Sequence, residues 1–342
     1  MKKIIRESLS DLIFGYPQVC ESIKGITYIP IFAPIEKLEK LPEYHPLDRT
    51  NNAIEIEEIG QIEHLRIYNY FKDITIFGMC DQCLVSYSQD RMILHDFILP
   101  PLNATYISVR CIEKMQGIKW GERFISNKIA PFSLRINKIK QLYDSGDVDQ
   151  FDFWDEIDNT LYAYNSPELF KTLSGISGIL NIYQTHQKTL KSLRKSFTLF
   201  YGQIGIAVCI GKTIYIEVLP APEVFLANYN KIIDSIFIEL FTTKNPSFET
   251  PEKKEIERII REFYKNVKSG KFIQVERSCD EHYQFILNKS DSISSIDINK
   301  GNITHFIGKF TSKTNGAYSK NSYHKSKEEK LEWLSENRDF LN

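Results

Sequence analysis

The chain sets Gln89, Asp90 and Arg91 side by side just before a run of strand-forming residues, and it sets Glu113 at the exit of the next such run. An Arg offers a planar fork for phosphate or carboxylate, and a neighbouring Asp can orient that fork or act as a base. A carboxylate followed by an indole, as in Glu113 and Trp120, could grip ribose hydroxyls and a base ring. Asp90 and Glu113 are therefore candidate catalytic groups. Gln89, Arg91 and Trp120 are candidate ligand contacts, with Arg91 on phosphate. The same side chains could equally form an internal salt bridge that fixes a strand entrance, and the residues alone leave both readings open.

Three further positions join the candidate ligand set. In Gly202-Gln203-Ile204-Gly205 two glycines around Gln203 allow close backbone approach, but the spacing is not a dinucleotide fingerprint and a strand follows. A structural turn is the plainer reading. Glu217 lies between Ile216 and Val218, where burial would perturb its pKa. Glu223 stands at a helix start, where a carboxylate also complements the helix dipole.

Cys80-Asp81-Gln82-Cys83 is a CxxC with no second pair at matching spacing, so no metal site is expected from it. A redox pair would want a helix N-terminus, and this segment reads as a strand edge. The seven histidines form no HExxH and no HxH, and there is no GxSxG and no P-loop. The common hydrolase and NTPase classes are disfavoured, and no cofactor is expected.

These residues need elements to position them. Strand signals run through Thr27–Pro34, Ala53–Glu58, Leu65–Tyr70, Ile74–Met79, Met92–Leu99 and Tyr106–Ile112, and the Phe71-Lys72-Asp73 link suits a hairpin. Lys37 to Asn52 reads as a polar connector. From Phe132 the period turns helical: Leu134, Ile136, Ile139 and Leu142 form a stripe that Ser145-Gly146 ends. Helices are expected over 152–164 and 180–200. A hairpin of 205–210 and 213–219 turns at Gly211-Lys212, a Gly-first pair suited to type II′. Pro222 launches a helix to about 241, and Thr250 precedes another that ends near Gly270. Strands follow at 282–287, 293–298 and 303–310.

With 342 residues and 42% apolar side chains the chain can bury a real core. Lys and Arg number 43 against 44 Asp and Glu, so charge demands neither nucleic acid nor an anionic membrane as partner. The N-terminus shows no signal peptide and no stretch is long enough for a membrane span, which makes the cytoplasm the expected location. Cys80, Cys111 and Cys209 fall in apolar strand-like runs and read as buried free thiols. The expected class is α+β, mostly antiparallel sheet segments with several flanking helices. The expected organisation is an N-terminal helix over 1–24, one compact domain over 25–310, and a charged tail with a short helix over 311–342.

The ordered set resembles one family: Gln89-Asp90-Arg91, Val109-Arg110-Cys111-Ile112-Glu113, Trp154 in a helix, Ser166-Pro167, Gly202-Gln203-Ile204-Gly205, the hairpin at Gly211, Pro222-Glu223-Val224-Phe225 and a late strand with His305. It is similar to the domain associated with ADP-ribosylglycohydrolases and rhodanese-phosphatase proteins, over roughly residues 25 to 310. The resemblance implies a small phosphorylated, nucleotide-derived ligand such as ADP-ribose or an NAD product, in a prokaryotic conflict or phage-defence setting. Relatives commonly carry a Glu where this chain has Cys83, a Gly at Ser86, a Lys at Ser88 and an Asn at Asp90. Those departures leave open whether this member turns a ligand over. A homo-oligomer is left open too, and the competing class is a non-catalytic interaction protein.

Overall fold

A computed structural model describes residues 9, 11–20, 25–34, 43–47, 53–87, 89–113, 119, 121–164, 178–242, 253–275, 282–300 and 302–312. The strands are β1 Ile13–Phe14, β2 Gln18–Val19, β3 Ile26–Phe32, β4 Tyr44–Pro46, β5 Ile54–Glu58, β6 His64–Asn69, β7 Thr75–Gly78, β8 Gln82–Val85 and β9 Arg91–Ile93. They continue as β10 Phe97–Leu99, β11 Asn103–Cys111, β12 Ile125–Ile129, β13 Gln203–Ile210, β14 Thr213–Val218, β15 Ile273–Val275, β16 His282–Lys289, β17 Ser292–Asn299 and β18 Asn302–Thr311. The helices are α1 Phe132–Ser145, α2 Gln150–Ala163, α3 Gly178–Thr185, α4 Gln187–Lys195, α5 Pro222–Phe237 and α6 Lys253–Ser269, with a 3-10 turn over Ile238–Phe241. The class is α+β.

Three sheets share the strands. The largest has nine, in the order β1-β3-β13-β14-β18-β17-β16-β15, with β2 also on β3. A three-stranded sheet runs β10-β7-β4 and a six-stranded one runs β12-β8-β9-β11-β6-β5. All pairings are antiparallel except β4 on β7, which is parallel.

The large sheet is covered on both faces, which is why β13 and β14 are buried along their whole length and mostly apolar rather than alternating. On one face Ile206, Val208, Ile210 and Ile307 pack with helical residues such as Phe132, Ile139, Phe225 and Ile236. On the other face Ala207, Cys209, Ile216 and Phe306 meet Ile256, Ile259, Phe263 and Val267 of α6. Those α6 positions recur at helical spacing, and most of the other positions in the helix are charged. A smaller core of Leu65, Ile67, Ile76, Leu84, Ile93, Phe97 and Val109 lies between the two smaller sheets.

Several helix ends follow local chemistry. Gly146 takes φ 80 after α1 and its N–H returns to the Leu142 carbonyl. Asp149 caps α2, accepting from the backbone N–H groups of Phe151 and Asp152. Pro222 sits in the first turn of α5 beside Glu223. Gly211 turns the β13–β14 hairpin at φ 56.

Some expectations fail. Within the segment read as an N-terminal helix, Ile13–Phe14 and Gln18–Val19 are strands that pair with β3. The Phe71-Lys72-Asp73 link makes no hairpin, because β6 pairs with β5 and β11 while β7 pairs with β10 and β4. The expected polar connector contains β4, whose parallel pairing to β7 has no local signature. The single run 92–99 is two strands that part at Leu94–Asp96 and enter different sheets. The expected long helix over 180–200 is two helices, α3 and α4, meeting at His186. The tail beyond Ser312 lies outside the described residues.

Candidate functional site

Among the described residues, two buried groups of ionisable side chains take in candidates that the sequence singled out. The first is the one the sequence singles out. Arg91 opens β9, pairs across to Cys111 at the end of β11, and has a fully buried side chain. Its guanidinium donates to the Gln89 carbonyl at 2.7 Å, to Gln89 Oε1 at 3.1 Å and to Glu58 Oε2 at 3.0 Å. Glu58, at the end of β5, is equally buried. It also accepts from the Gly60 N–H at 3.0 Å. The side-chain amide of Gln89 donates to the Glu113 carbonyl, and the Cys111 thiol donates to Gln89 Oε1 at 3.1 Å. Gln150 closes the far side, exchanging two hydrogen bonds with the backbone of Cys111.

Glu113 stands at the edge of this frame. It is half-buried, and its Oε2 accepts the Asp90 N–H at 3.1 Å. Burial raises its carboxyl above the usual range, more than the Asp90 N–H and Arg91 lower it. The Asp90 carboxylate turns back to the Ser86 N–H at 3.3 Å. Gln89, Asp90, Arg91 and Glu113 are thus one cluster, as the sequence suggested. Arg91, however, faces Glu58 rather than solvent, so a phosphate could reach it only by displacing that carboxylate.

The other expected contacts lie elsewhere. Gln203 donates to the Tyr28 hydroxyl at 2.6 Å and to the Gly205 carbonyl at 2.8 Å, which makes it a local tie in the large sheet. Glu223 is exposed in the first turn of α5, the place of a helix-dipole partner. Trp120 lies outside the described residues, as do Ser88 and Ser166-Pro167.

Glu217 belongs to the second group, which the sequence did not assemble. Arg135 of α1 is fully buried and forks onto Glu217 of β14, Nη1 to Oε2 at 2.8 Å and Nη2 to Oε1 at 2.6 Å. Its Nε donates to Asp81 at 3.1 Å. Lys138, one turn on, meets the other Asp81 oxygen at 2.5 Å and donates to the Leu94 carbonyl at 3.0 Å. His305 of β18 sits between two carboxylates: Nδ1 is 3.1 Å from each Asp96 oxygen, and Nε2 is 3.2 Å from Glu217 Oε1. The Cys80 thiol lies 3.6 Å from His305 Nδ1 and 3.3 Å from Asp81 Oδ2, and the Cys80 N–H donates to Asp96 at 2.6 Å.

Electrostatics in this group is governed by pairing between buried charges. Burial pushes the Asp81 carboxyl up, but Lys138 and Arg135 outweigh it and the net direction is down. The same contest, won by Arg135 and His305, lowers Glu217. For His305 burial alone would lower the ring, yet Asp96 and Cys80 carry it well above its ordinary value. The Cys80 thiol is pushed up to about 12, by burial first and then by Asp81 and Asp96. Asp81 holds the left-handed φ of 67, fixed by its N–H to the Ile93 carbonyl at 2.8 Å and by the Ala130 N–H to its own carbonyl at 2.9 Å.

A signal for this second group does exist in the sequence. Arg135, Lys138 and Leu142 fall at i, i+3 and i+7 of α1, so the two cations share a face with the apolar stripe. Two cations on a buried helix face require buried anions, although their identity is set by strands far away in the chain.

No curated protein matches the chain. Among solved structures, an inactive mutant of the CurK dehydratase aligns over 88% of this chain and 96% of that one, at 8% identity and a TM-score of 0.13, too low to bear on fold or function. A family model does match. It is ARPP-1, described as the ARG and Rhodanese-Phosphatase-superfamily-associated Protein domain, and it covers residues 12–308. That span takes in both buried polar groups and all three sheets, and the chain belongs to this family.

Proposed function

We propose that the chain binds a small nucleotide-derived ligand, of the ADP-ribose or NAD-product class, at the edge of the Gln89–Glu113 frame. The observation that carries this reading is Glu113. It is a half-buried carboxylate, raised by burial, anchored through one oxygen to the Asp90 N–H and backed by a frame of paired charges. A carboxylate so placed can accept from ribose hydroxyls or serve as a base. Arg91 and Glu58 support the frame from behind, and Gln89 couples them to Glu113. The family's description ties it to ARG, which favours an ADP-ribose-related ligand. A cytoplasmic role in a prokaryotic conflict or phage-defence system is part of the same proposal.

The experiment is a thermal-shift and calorimetric titration with ADP-ribose, NAD, AMP and ADP. A ligand at a hundred times its dissociation constant adds about 2.7 kcal/mol to stability. Glu113→Gln should abolish that shift while leaving the unliganded midpoint no lower. If none of the four ligands shifts the wild-type protein, or if Glu113→Gln responds as wild type does, the proposal fails.

A second reading rests on a different observation. Arg91 and Glu58 form a fully buried ion pair, which is what a purely structural brace in an interaction protein would contain. It is favoured if the titrations are silent and the frame proves important only to stability.

A further inference from the structure

We propose that Cys80, Asp96 and His305 supply three buried ligands to one divalent zinc-like cation, which staples the three-stranded sheet to the nine-stranded one. The three ligand atoms lie within 4.8 Å of one another, and all three residues are buried. Cys80 lies just past β7, after Met79, and Asp96 directly precedes β10, neighbouring strands of the small sheet. His305 comes from β18, 225 positions from Cys80. A thiolate, an imidazole and a carboxylate together are a donor set suited to zinc.

The spacing fits a tetrahedral centre. Bonds of about 2.3 Å to sulfur and 2.1 Å to nitrogen, at the tetrahedral angle, put the two donors about 3.6 Å apart. Cys80 Sγ and His305 Nδ1 are 3.6 Å apart. The outer partners are also those of a metal site. Histidine ligands to zinc commonly give their second ring N–H to a carboxylate that fixes the ring. Nε2 of His305 faces Glu217 Oε1 at 3.2 Å, and Arg135 grips both oxygens of Glu217. Asp96 is steadied by the Cys80 N–H at 2.6 Å.

Two nearby cations, Arg135 and Lys138, would oppose a metal if the charges did not balance, but they do. Without metal, Asp81, Asp96 and Glu217 carry three negative charges against Arg135, Lys138 and an imidazolium at His305. Binding of a divalent ion replaces two protons, one from the Cys80 thiol and one from His305 Nδ1. Over these groups the sum is then unchanged: three carboxylates and a thiolate stand against Arg135, Lys138 and the ion. The cluster can therefore exchange two protons for a metal without stranding a buried charge. Cys83 takes no part, because its side chain lies in the apolar core with Met92 and Ile129. The CxxC thus supplies one ligand, and the others come from distant segments.

The test uses the full chain. It is expressed in medium with zinc, and separately with cobalt(II) in place of zinc, so that the buried site fills during folding. Elemental analysis should give one zinc per chain. The cobalt form should show a thiolate-to-metal charge-transfer band, which Cys83→Ala keeps and Cys80→Ala loses. Zinc affinity in Cys80→Ala should fall at least about 100-fold, the upper end of what loss of a mere supporting partner costs. Should Cys80→Ala fail to fold, Asp96→Asn replaces it, and the wild-type and Cys83→Ala proteins still decide. Wild-type protein without stoichiometric metal, or without the thiolate band, overturns the proposal. So does a band that survives in folded Cys80→Ala or vanishes in Cys83→Ala.

Discussion

Replacing Arg91 by Ala separates a ligand-facing arginine from half of a buried ion pair. The structure predicts the second behaviour. Arg91 and Glu58 are both fully excluded from water and 3.0 Å apart. The truncation removes that contact and two hydrogen bonds to Gln89. It leaves Glu58 with the Gly60 N–H among its remaining partners. Stranding one partner of a buried pair costs roughly 3–5 kcal/mol. Among the described residues Arg91 Nε has no hydrogen-bond partner, which holds the figure below the sum of its contacts. An unfolding entropy of about 2.1 cal/mol/K per residue, over 342 residues, is about 0.7 kcal/mol/K, so the thermal midpoint should fall by about 4–7 °C. The assay is urea and thermal denaturation of wild type, Arg91→Ala, Glu58→Gln and the double variant at neutral pH. The double variant should recover part of the loss, because no buried charge is then left alone. A midpoint for Arg91→Ala within about 1 °C of wild type, well inside the fall computed from the entropy scale, with zero coupling to Glu58, would refute the reasoning and return Arg91 to the ligand.

The raised Glu113 carboxyl keeps its proton in the folded state at pH values where the unfolded chain has lost it. Its contribution is therefore complete below the unfolded pKa near 4.5 and is lost as pH rises through the folded value; Glu113→Gln should flatten the fall in stability just above pH 4.5, measured by urea midpoints across pH. Gly205→Ala should destabilise by about 1–3 kcal/mol, because the new methyl would lie 2.6 Å from the Glu217 carbonyl oxygen on the paired strand; an unchanged midpoint would show that β13 and β14 can part there. A chain ending after Ser312 should unfold cooperatively and be more stable than one ending after Phe310. The shorter chain loses the Thr311 N–H to Asp291, the Ser312 N–H to Lys212 and the Ser312 hydroxyl bridging Arg258 and Glu262.

The sequence by itself determined most element types, though not the strands near the N-terminus or β4, and it picked out the residues of one polar group. Periodicity, Pro222 and Gly146 mark α5 and α1, and Gly211-Lys212 marks its hairpin, because each of these signals is local in the chain. Gln89, Asp90, Arg91 and Glu113 were legible for a related reason: they flank β9 and β11, which pair in space and are separated in the chain only by the short β10. Tertiary structure alone decided what those residues face. Glu58 is 33 positions from Arg91, and nothing in its local pattern marks it as the partner. The same holds more strongly for the Cys80, Asp96, Glu217 and His305 cluster, which two sheets and α1 bring together across 225 positions. Glu217 could be recognised as a polar residue in an apolar strand, but whether such a group is a base, a brace or a support for a metal ligand depends on its neighbours. Pairing between sheets carries no short-range signal, since side chains are matched there by burial and charge only after the backbone has already brought them into reach.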